Sequence, residues 1–228
     1  MLLNNALPKA VLFDVDGTLA ETEQDGHLVA FNRVFRLLDI PWTWTDDDYQ
    51  WLLKTTGGLE RMRVYAEHCG QLQFLEGEGA ERLQDAHRLK NKVYAELVEQ
   101  GAVKPRPGVV AFIQTLLQQG VTWAVVTTTS RGNFEALYAA CLRPSGIPPP
   151  KLAICGEDVE RKKPDPQAYL QALHRLGLHP SDCLAVEDAP NGLKAARAAG
   201  IACLVVRSVY FQAGPWDGAY EVRDSFLT

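Results

Sequence analysis

Side chains that could do chemistry stand at the ends of four apolar runs in this chain. They are Asp14, Asp16, Thr128, Lys163, Glu187 and Asp188. Asp14 and Asp16 close the first run, "AVLFDVD", where two like charges follow directly on residues suited to a protein core. Carboxylates, a hydroxyl and an ammonium brought to one place would suit a divalent cation together with a phosphoryl group.

Short β-branched runs alternate with helix-like stretches from Lys104 onward. This alternation predicts a parallel sheet that is covered by helices on both faces. Gly120, Gly177 and Gly200 stand where the predicted helices end before strands. Ligands of such sheets bind at the carboxyl ends of the strands, so we expect the four runs to bring their chemical groups to one edge.

The segment between the first run and residue 102 lacks strand-like runs and is interpreted as inserted helices. Two sets of apolar residues recur in it at helical spacing: Leu28, Phe31, Val34, Phe35 and Leu38, then Leu83, Ala86, Leu89, Val93 and Leu97. Thr45 and Asp48 match a capping box, which opens a further helix. Three tryptophans are expected to pack inside this segment: Trp42, Trp44 and Trp51. We predict a Rossmann-like, doubly wound α/β core of residues 1–19 and 102–228 with an inserted helical cap domain of residues 20–101.

Composition limits the classes of partner. The 228 residues carry a net charge of −5 and are 46% hydrophobic, which is ordinary globular composition. The sequence has no stripe of Lys and Arg of the kind that binds nucleic acid. It also has no apolar run that approaches the roughly 20 residues needed to cross a bilayer. The five cysteines are widely spaced, which favours buried reduced thiols over disulfides or a zinc site. We expect a cytoplasmic protein, a monomer, with no nucleic-acid and no membrane partner.

Four short motifs, in one order, carry a family resemblance. "DVDGT", "TTTS", "KKPDP" and "VED", with a helical insertion after the first, resemble the motifs of the haloacid dehalogenase superfamily of phosphatases. More narrowly, "ETE", "AFN", "LLKTTGG" followed by "ER", and "VTTTS" resemble the CbbY group, sugar bisphosphatases that act on xylulose 1,5-bisphosphate, an inhibitor of Rubisco. The chain has Leu59 and Ala189 where that group usually has lysine and serine.

The first acidic pair would supply the nucleophile and the acid–base group. An aspartate with an ordinary pKa of about 3.9 is ionised at neutral pH, so Asp14 could attack phosphorus without an activating base and form an aspartyl phosphate. Asp16 lies two residues further on, so it could protonate the departing sugar oxygen and later take a proton from water. In isolation "DVDG" would be a polar turn, and its glycine comes too early for a calcium-binding EF-hand loop.

Mg²⁺ is the expected cofactor, because it prefers hard oxygen ligands and pairs with substrate phosphate. The resemblance implies four metal contacts: Asp14, Asp16 through its backbone carbonyl, Glu187 and Asp188. It also implies that Thr128 and Lys163 hold the transferring phosphoryl group. Thr127, Thr129 and Ser130 are alternatives to Thr128, and Lys162 is the alternative to Lys163. Without the other motifs, "VED" would be a helix N-cap.

The resemblance further implies a set of substrate-binding residues. They are Glu23, His27, Tyr49, Lys54, Thr55, Thr56, Gly57, Gly58, Arg61, Lys90, Thr129, Ser130 and Asn133. Two adjacent glycines let backbone approach a ligand closely, and an arginine can grip a second phosphate with two parallel hydrogen bonds. Each charged member could instead be an ordinary solvated side chain.

We therefore expect a Mg²⁺-dependent phosphatase that acts through an aspartyl phosphate on a small phosphosugar, with xylulose 1,5-bisphosphate as the favoured substrate. The cap would select the substrate and exclude bulk water. The alternatives are a sugar phosphomutase of the β-phosphoglucomutase type and a phosphatase for another sugar monophosphate. A signalling receiver domain uses similar groups, but it is a single short domain with no such helical insertion. A noncatalytic relative should lack Asp14 or Asp16.

Overall fold

A computed structural model describes residues 6–227 of the chain. The α-helices of this part are, in chain order, α1 (Val29–Leu37), α2 (Asp46–Leu52), α3 (Gly58–His68), α4 (Gly77–Glu99), α5 (Val109–Gln118), α6 (Arg131–Leu137), α7 (Gln167–Leu176) and α8 (Pro190–Ala198). A π-helical turn, Glu23–Leu28, precedes α1, and another, Tyr138–Leu142, follows α6. The described chain divides into two compact units: one runs to Glu21 and resumes at Lys104, and the other is Thr22–Val103.

The first unit is built on a six-stranded sheet. Its strands are β1 (Ala10–Phe13), β2 (Thr122–Val126), β3 (Ala153–Ile154), β4 (Cys183–Glu187), β5 (Ala202–Val206) and β6 (Glu221–Arg223). All neighbours are parallel and the order is β3-β2-β1-β4-β5-β6. Because β1 and β4 are central and covered on both faces, every residue of each is buried, which is why their sequences are continuous apolar runs. The predicted Rossmann-like α/β core is confirmed.

Strand register sets the level of the functional edge. Phe13, the last residue of β1, pairs with Val125 on one side and with Val186 on the other. The next residues along the three strands are therefore at one level. They are Asp14, Val126 and Glu187.

Alternating β1 residues pack on opposite faces of the sheet. Leu12 belongs to a buried cluster with Tyr169 of α7 and Leu193 of α8. The ring of Phe13 packs edge-on against Phe112 of α5, with centroids 6.0 Å apart. The helices therefore cover both faces, as a parallel sheet requires.

Three predicted helix ends are confirmed. Gly120, Gly177 and Gly200 follow α5, α7 and α8 with φ angles of 73°, 66° and 76°, the left-handed region that glycine adopts without a steric penalty.

An aromatic cluster is the core of the second unit. Trp44 is buried between Phe31 and Phe35 of α1, with ring centroids 4.6 and 4.9 Å away. Trp42 contacts Phe35 and Phe74 at 5.3 and 5.0 Å. The predicted packing role of these two tryptophans is confirmed.

Of two predictions for helices of the second unit, one is confirmed and the other is partly wrong. The Thr45 hydroxyl accepts a hydrogen bond from the Asp48 backbone N–H, and the Asp48 carboxylate accepts from the Thr45 N–H, so the predicted capping box opens α2. The predicted buried face of α4 is partly wrong. Its buried residues are Leu83, Ala86, Lys90, Val93, Tyr94 and Val98, whereas Leu89 and Leu97 are half-buried. Lys90, whose ammonium lies over the rings of Phe31 and Tyr94, is buried in place of the expected Leu89.

All five cysteines are free thiols; Cys141, Cys155, Cys183 and Cys203 are buried as predicted, whereas Cys69 is exposed. No helix among residues 6–227 has the length and apolar character needed to cross a membrane.

Candidate active site

A buried ammonium is at the centre of the functional edge. Lys163 Nζ donates to Asp14 Oδ1 at 2.6 Å, to Glu187 Oε1 at 2.7 Å and to the Val126 carbonyl at 2.7 Å. These partners are the three residues that the strand register brings to one level. An ammonium has three N–H donors, so each strand end receives one. The side chain is that of Lys163, and Lys162 is half-buried beside it.

The carboxylate of Asp14 has a perturbed acidity. Burial raises the pKa of Asp14 to about 8, with the Lys163 charge lowering it and the Glu187 and Asp16 charges raising it. For Lys163, burial lowers the pKa, but the Asp14 and Glu187 charges outweigh burial and raise it above its ordinary value. The ordinary pKa assumed for Asp14 is thus wrong for this site, because the sequence alone does not give its desolvation.

The acidic cluster fits a divalent cation. Oxygen atoms of Asp14, Glu187 and Asp188 lie within 4.8 Å of one another, and all three side chains are buried. The Lys163 ammonium contacts two of these carboxylates, Asp14 and Glu187, and offsets part of the negative charge of the cluster. A bound divalent cation would offset that charge and lower the pKa of Asp14 again. Oxygen donors of this kind suit Mg²⁺.

Gly17 makes room for one of these carboxylates. A Cβ atom at residue 17 would lie 2.1 Å from Asp188 Oδ2, and the φ angle of Gly17 is 79°. The Thr18 hydroxyl lies 3.5 Å from Asp188 Oδ1 and donates to it. The glycine of "DVDGT" therefore allows the first motif to lie close to the last motif, "VED".

Glu187 is held by residues that sequence reasoning missed. The hydroxyl of Tyr169 donates to Glu187 Oε1, the same oxygen that accepts from Lys163. Gly192 on α8 lies so close that a Cβ there would be 1.9 Å from Glu187 Oε2. Burial, with the Glu187 charge second, raises the pKa of Tyr169, so its hydroxyl stays protonated and donates. The sequence assigns Tyr169 to the apolar face of α7. Its hydroxyl, on a face otherwise formed by residues such as Leu173 and Leu176, was the one sequence signal of a role at the site.

The threonine run turns sharply into α6. The Ser130 hydroxyl accepts from the Asn133 N–H at 3.3 Å and caps this helix, while the Asn133 amide donates to Thr129 Oγ1 at 3.2 Å. Thr127 is buried and its hydroxyl accepts from the Thr129 N–H at 3.2 Å. Thr128 is half-buried, and its carbonyl would lie 2.5 Å from a Cβ at residue 156, where the chain has Gly156.

The second unit groups the candidate substrate residues into two clusters. In the first, Arg61 Nη1 lies 3.0 Å from the Tyr49 hydroxyl and 3.4 Å from Glu23 Oε2, and the Tyr49 hydroxyl donates to that same Glu23 oxygen. Arg61 Nε also donates to the Thr55 carbonyl at 3.0 Å. The guanidinium is therefore held in one orientation by three neighbours.

The second cluster is a buried pair of basic side chains. Lys90 Nζ lies 2.8 Å from His27 Nδ1, and both residues are buried. The His27 ring stacks on Tyr94 at 4.1 Å, and the Lys90 ammonium lies 4.8 Å from the Phe31 ring centroid.

The remaining candidates lie on the loop into α3. Lys54 is exposed, Thr55, Thr56, Gly57 and Gly58 are half-buried, and Gly57 has a φ angle of 103°.

Comparison with known proteins agrees with these motifs. A family model described as haloacid dehalogenase-like hydrolase matches residues 8–200. Protein CbbY of Rhodobacter capsulatus is 42% identical over an alignment of 214 residues that covers 91% of this chain and 91% of that protein. A crystal structure of CbbY from Rhodobacter sphaeroides with phosphate has a TM-score of 0.87 and 38% identity, covering 96% of this chain and 95% of that one. A mutant of that protein, matched equally well, was crystallised with xylulose 1,5-bisphosphate.

Replacing Gly17 with alanine is expected to disturb the acidic cluster beyond the cost of backbone strain. Gly120→Ala is the matched control, because Gly120 also has a positive φ angle but no atom lies within 4 Å of its absent Cβ. Gly120→Ala should lose about 1–2 kcal/mol of unfolding free energy in urea from backbone strain alone, and Gly17→Ala should lose more because of its clash with Asp188. Only Gly17→Ala should also weaken Mn²⁺ binding, measured by electron paramagnetic resonance, by about tenfold or more. Equal Mn²⁺ affinity in the two variants would indicate that the space at Gly17 does not matter for metal binding by the acidic cluster.

Proposed function

Because this chain belongs to the haloacid dehalogenase-like hydrolases and is a phosphatase of the CbbY type, we propose that it hydrolyses xylulose 1,5-bisphosphate with Mg²⁺ and through a phosphorylated Asp14. The observation that carries the proposal is the contact of Lys163 Nζ with Asp14 at the level where three strands end. This contact fixes the rotation of a buried carboxylate beside a cation, which is what an aspartate nucleophile needs.

The proposed reaction has two steps. A carboxylate oxygen of Asp14 forms a bond to phosphorus as the bond between phosphorus and the sugar oxygen breaks, and Asp16 gives a proton to that leaving oxygen. In the second step Asp16 takes a proton from water, the water oxygen bonds to phosphorus, and the Asp14–phosphorus bond breaks. Inorganic phosphate leaves and both aspartates regain their starting states.

The metal ligands we propose are Asp14, the Asp16 backbone carbonyl and Asp188. The closeness of the Asp14 and Asp188 oxygens supports this choice. When bound, Mg²⁺ supplies charge neutralisation between the carboxylates and the substrate phosphate. Glu187 belongs to the same acidic set, and its bonds from Lys163 and Tyr169 suit it to hold the ammonium in place.

Lys163 and Thr128 would bind the negatively charged phosphoryl group, Lys163 through its ammonium and Thr128 through a hydrogen bond from its hydroxyl. The raised pKa of Lys163 keeps the ammonium charged throughout the reaction. The half-buried position of Thr128, between two buried threonines, supports it over Thr127 and Thr129 as the phosphate contact. Thr129, Ser130 and Asn133 would then shape the loop around that contact through their mutual hydrogen bonds.

Substrate choice is assigned to the second unit, which we propose acts as the cap. Glu23 and Tyr49 would orient Arg61 so that its planar guanidinium can bind the second phosphate. A guanidinium can donate two parallel hydrogen bonds to a phosphate, whereas a lysine ammonium cannot. His27, Lys90 and the loop residues from Lys54 to Gly58 complete the proposed set. The buried Lys90–His27 pair would add positive charge suited to an anionic sugar.

Phosphate release from a panel of sugar phosphates tests the proposal. With Mg²⁺, xylulose 1,5-bisphosphate should yield one equivalent of inorganic phosphate per substrate, and it should be preferred to sugar monophosphates. Asp14→Asn should slow this release by at least about a thousandfold, or about 4 kcal/mol of barrier. Asp217→Asn, which changes an exposed aspartate of the same unit, is the control and should leave the rate unchanged.

Three outcomes would change the assignment. Full activity of Asp14→Asn would exclude Asp14 as the nucleophile. Turnover of monophosphates alone would exclude the bisphosphate substrate while leaving a phosphatase. Sugar isomerisation without stoichiometric phosphate would indicate a phosphomutase.

Arg61→Lys tests the second-phosphate contact, with Arg63→Lys as its control. Both arginines lie on α3, and Arg63 is exposed. Arg61→Lys keeps the charge and removes the planar fork, so the KM for xylulose 1,5-bisphosphate should rise about tenfold, or about 1.4 kcal/mol. Steady-state kinetics with p-nitrophenyl phosphate, which has a single phosphate, should be little changed. An equal loss with both substrates would indicate that Arg61 supports the fold and does not read the second phosphate.

A further inference from the structure

Arg106 is a buried arginine that the proposed reaction does not use. Only 6% of it is exposed, yet it lies in the turn "KPRPG" before α5, where an arginine would ordinarily be solvated. Its Nη1 donates to the carbonyls of Gly17 at 2.6 Å and Val206 at 2.8 Å. Its Nη2 donates to the carbonyls of Arg207 and Asp224.

The fifth contact is ionic. Arg106 Nε lies 3.3 Å from Glu21 Oε1. A guanidinium has five N–H donors in a rigid fork, and this one has four carbonyls and a carboxylate around it. A lysine offers three donors from one atom and could not reach the same set.

These five partners come from three separate parts of the first unit. Gly17 and Glu21 belong to the segment after β1, Val206 ends β5 and Arg207 follows it, and Asp224 follows β6. The backbone adds to the link, because the Arg106 N–H donates to the Leu19 carbonyl at 2.9 Å. Arg106 therefore ties the loop of the first acidic motif to the carboxyl ends of the last two strands.

The position of Gly17 matters for the acidic cluster. Its N–H donates to the Ala20 carbonyl at 2.8 Å, its carbonyl accepts from Arg106, and its Cα lies against the Asp188 carboxylate. The peptide that joins Asp16 to Gly17 carries the Asp16 carbonyl. Rotation or retreat of Gly17 would therefore move that carbonyl and change the space left for Asp188.

We propose that Arg106 is a positioning residue for the metal-binding part of the site. It holds Gly17 at the distance from Asp188 that the ligand set needs, and it makes the C-terminal strand β6 part of that support. The inference rests on the proposed function, in which Asp14, the Asp16 carbonyl and Asp188 bind Mg²⁺.

Arg106→Lys tests the proposal, with Arg197→Lys as the matched control. Arg197 also donates to a carbonyl of the C-terminal segment, that of Asp217 at 2.7 Å, and its side chain is exposed. The readout is the Mn²⁺ dissociation constant of the purified protein, measured by electron paramagnetic resonance, together with the urea midpoint. Arg106→Lys should bind Mn²⁺ about tenfold more weakly, as expected for groups that orient metal ligands. Arg197→Lys should bind as the unaltered protein does.

A milder variant covers the case in which Arg106→Lys does not fold. Glu21→Gln keeps the four carbonyl bonds of Arg106 and removes its ionic partner. Glu21→Gln should weaken Mn²⁺ binding by about twofold to threefold, because it loosens one of five contacts.

The outcomes separate this proposal from the one on which it rests. Folded Arg106→Lys, or Glu21→Gln where the lysine variant is unfolded, with an unaltered Mn²⁺ affinity would overturn the role of Arg106 alone. An unaltered protein that binds no Mn²⁺ would overturn the metal assignment itself. Equal weakening in Arg106→Lys and Arg197→Lys would indicate a general loss of stability, which also contradicts a positioning role.

Discussion

The ammonium of Lys163 lies in the interior of the protein between two carboxylates, and the candidate site depends on it. Transferring charges out of water is costly, and removing one partner of a buried pair typically costs about 3–5 kcal/mol because it leaves an uncompensated charge. Asp14 and Glu187 can be buried side by side only while Lys163 Nζ contacts both, at 2.6 and 2.7 Å. The third bond, to the Val126 carbonyl, ties the ammonium to β2. Three parallel strands must therefore end at one level.

This arrangement brings together carboxylates that suit a divalent cation and, with it, phosphoryl transfer. Oxygen atoms of Asp14, Glu187 and Asp188 lie within 4.8 Å of one another, and burial raises the pKa of Asp14 to about 8. A bound divalent cation would favour the ionised form of Asp14, and it would add positive charge to that of Lys163 for an incoming phosphate group. Gly17 and Gly192 keep the cluster compact, because any larger residue would displace Asp188 or Glu187.

The sequence predicted the parts of the site that follow directly from strand order. Asp14, Glu187 and Asp188 each end an apolar run, and parallel strands carry their carboxyl ends to the same edge, so their convergence could be inferred without coordinates. The choice of Lys163 over Lys162 rested on the motif, and the contact with Asp14 agrees with it. Within the threonine run, spacing alone cannot decide which hydroxyl faces the ligand, because the chain leaves β2 there and turns into α6.

What the sequence did not reveal has one physical cause: side chains that act through tertiary contacts have no local pattern. Tyr169 looks like part of an apolar helix face, although its hydroxyl donates to Glu187. Arg106 looks like a solvated turn residue, although its guanidinium donates hydrogen bonds to carbonyls of distant segments. Lys90 is buried where hydrophobic spacing favoured Leu89, because Phe31 and His27 receive its ammonium.

The most direct measurement is chemical trapping of the phosphorylated enzyme. Turnover of xylulose 1,5-bisphosphate with Mg²⁺ is stopped by acid within milliseconds, the protein is reduced with borohydride, and its peptides are analysed by mass spectrometry. An aspartyl phosphate is reduced to homoserine, so homoserine is expected at residue 14 and at no other aspartate. Homoserine at a different position, or its absence while phosphate is being released, would contradict Asp14 as the nucleophile.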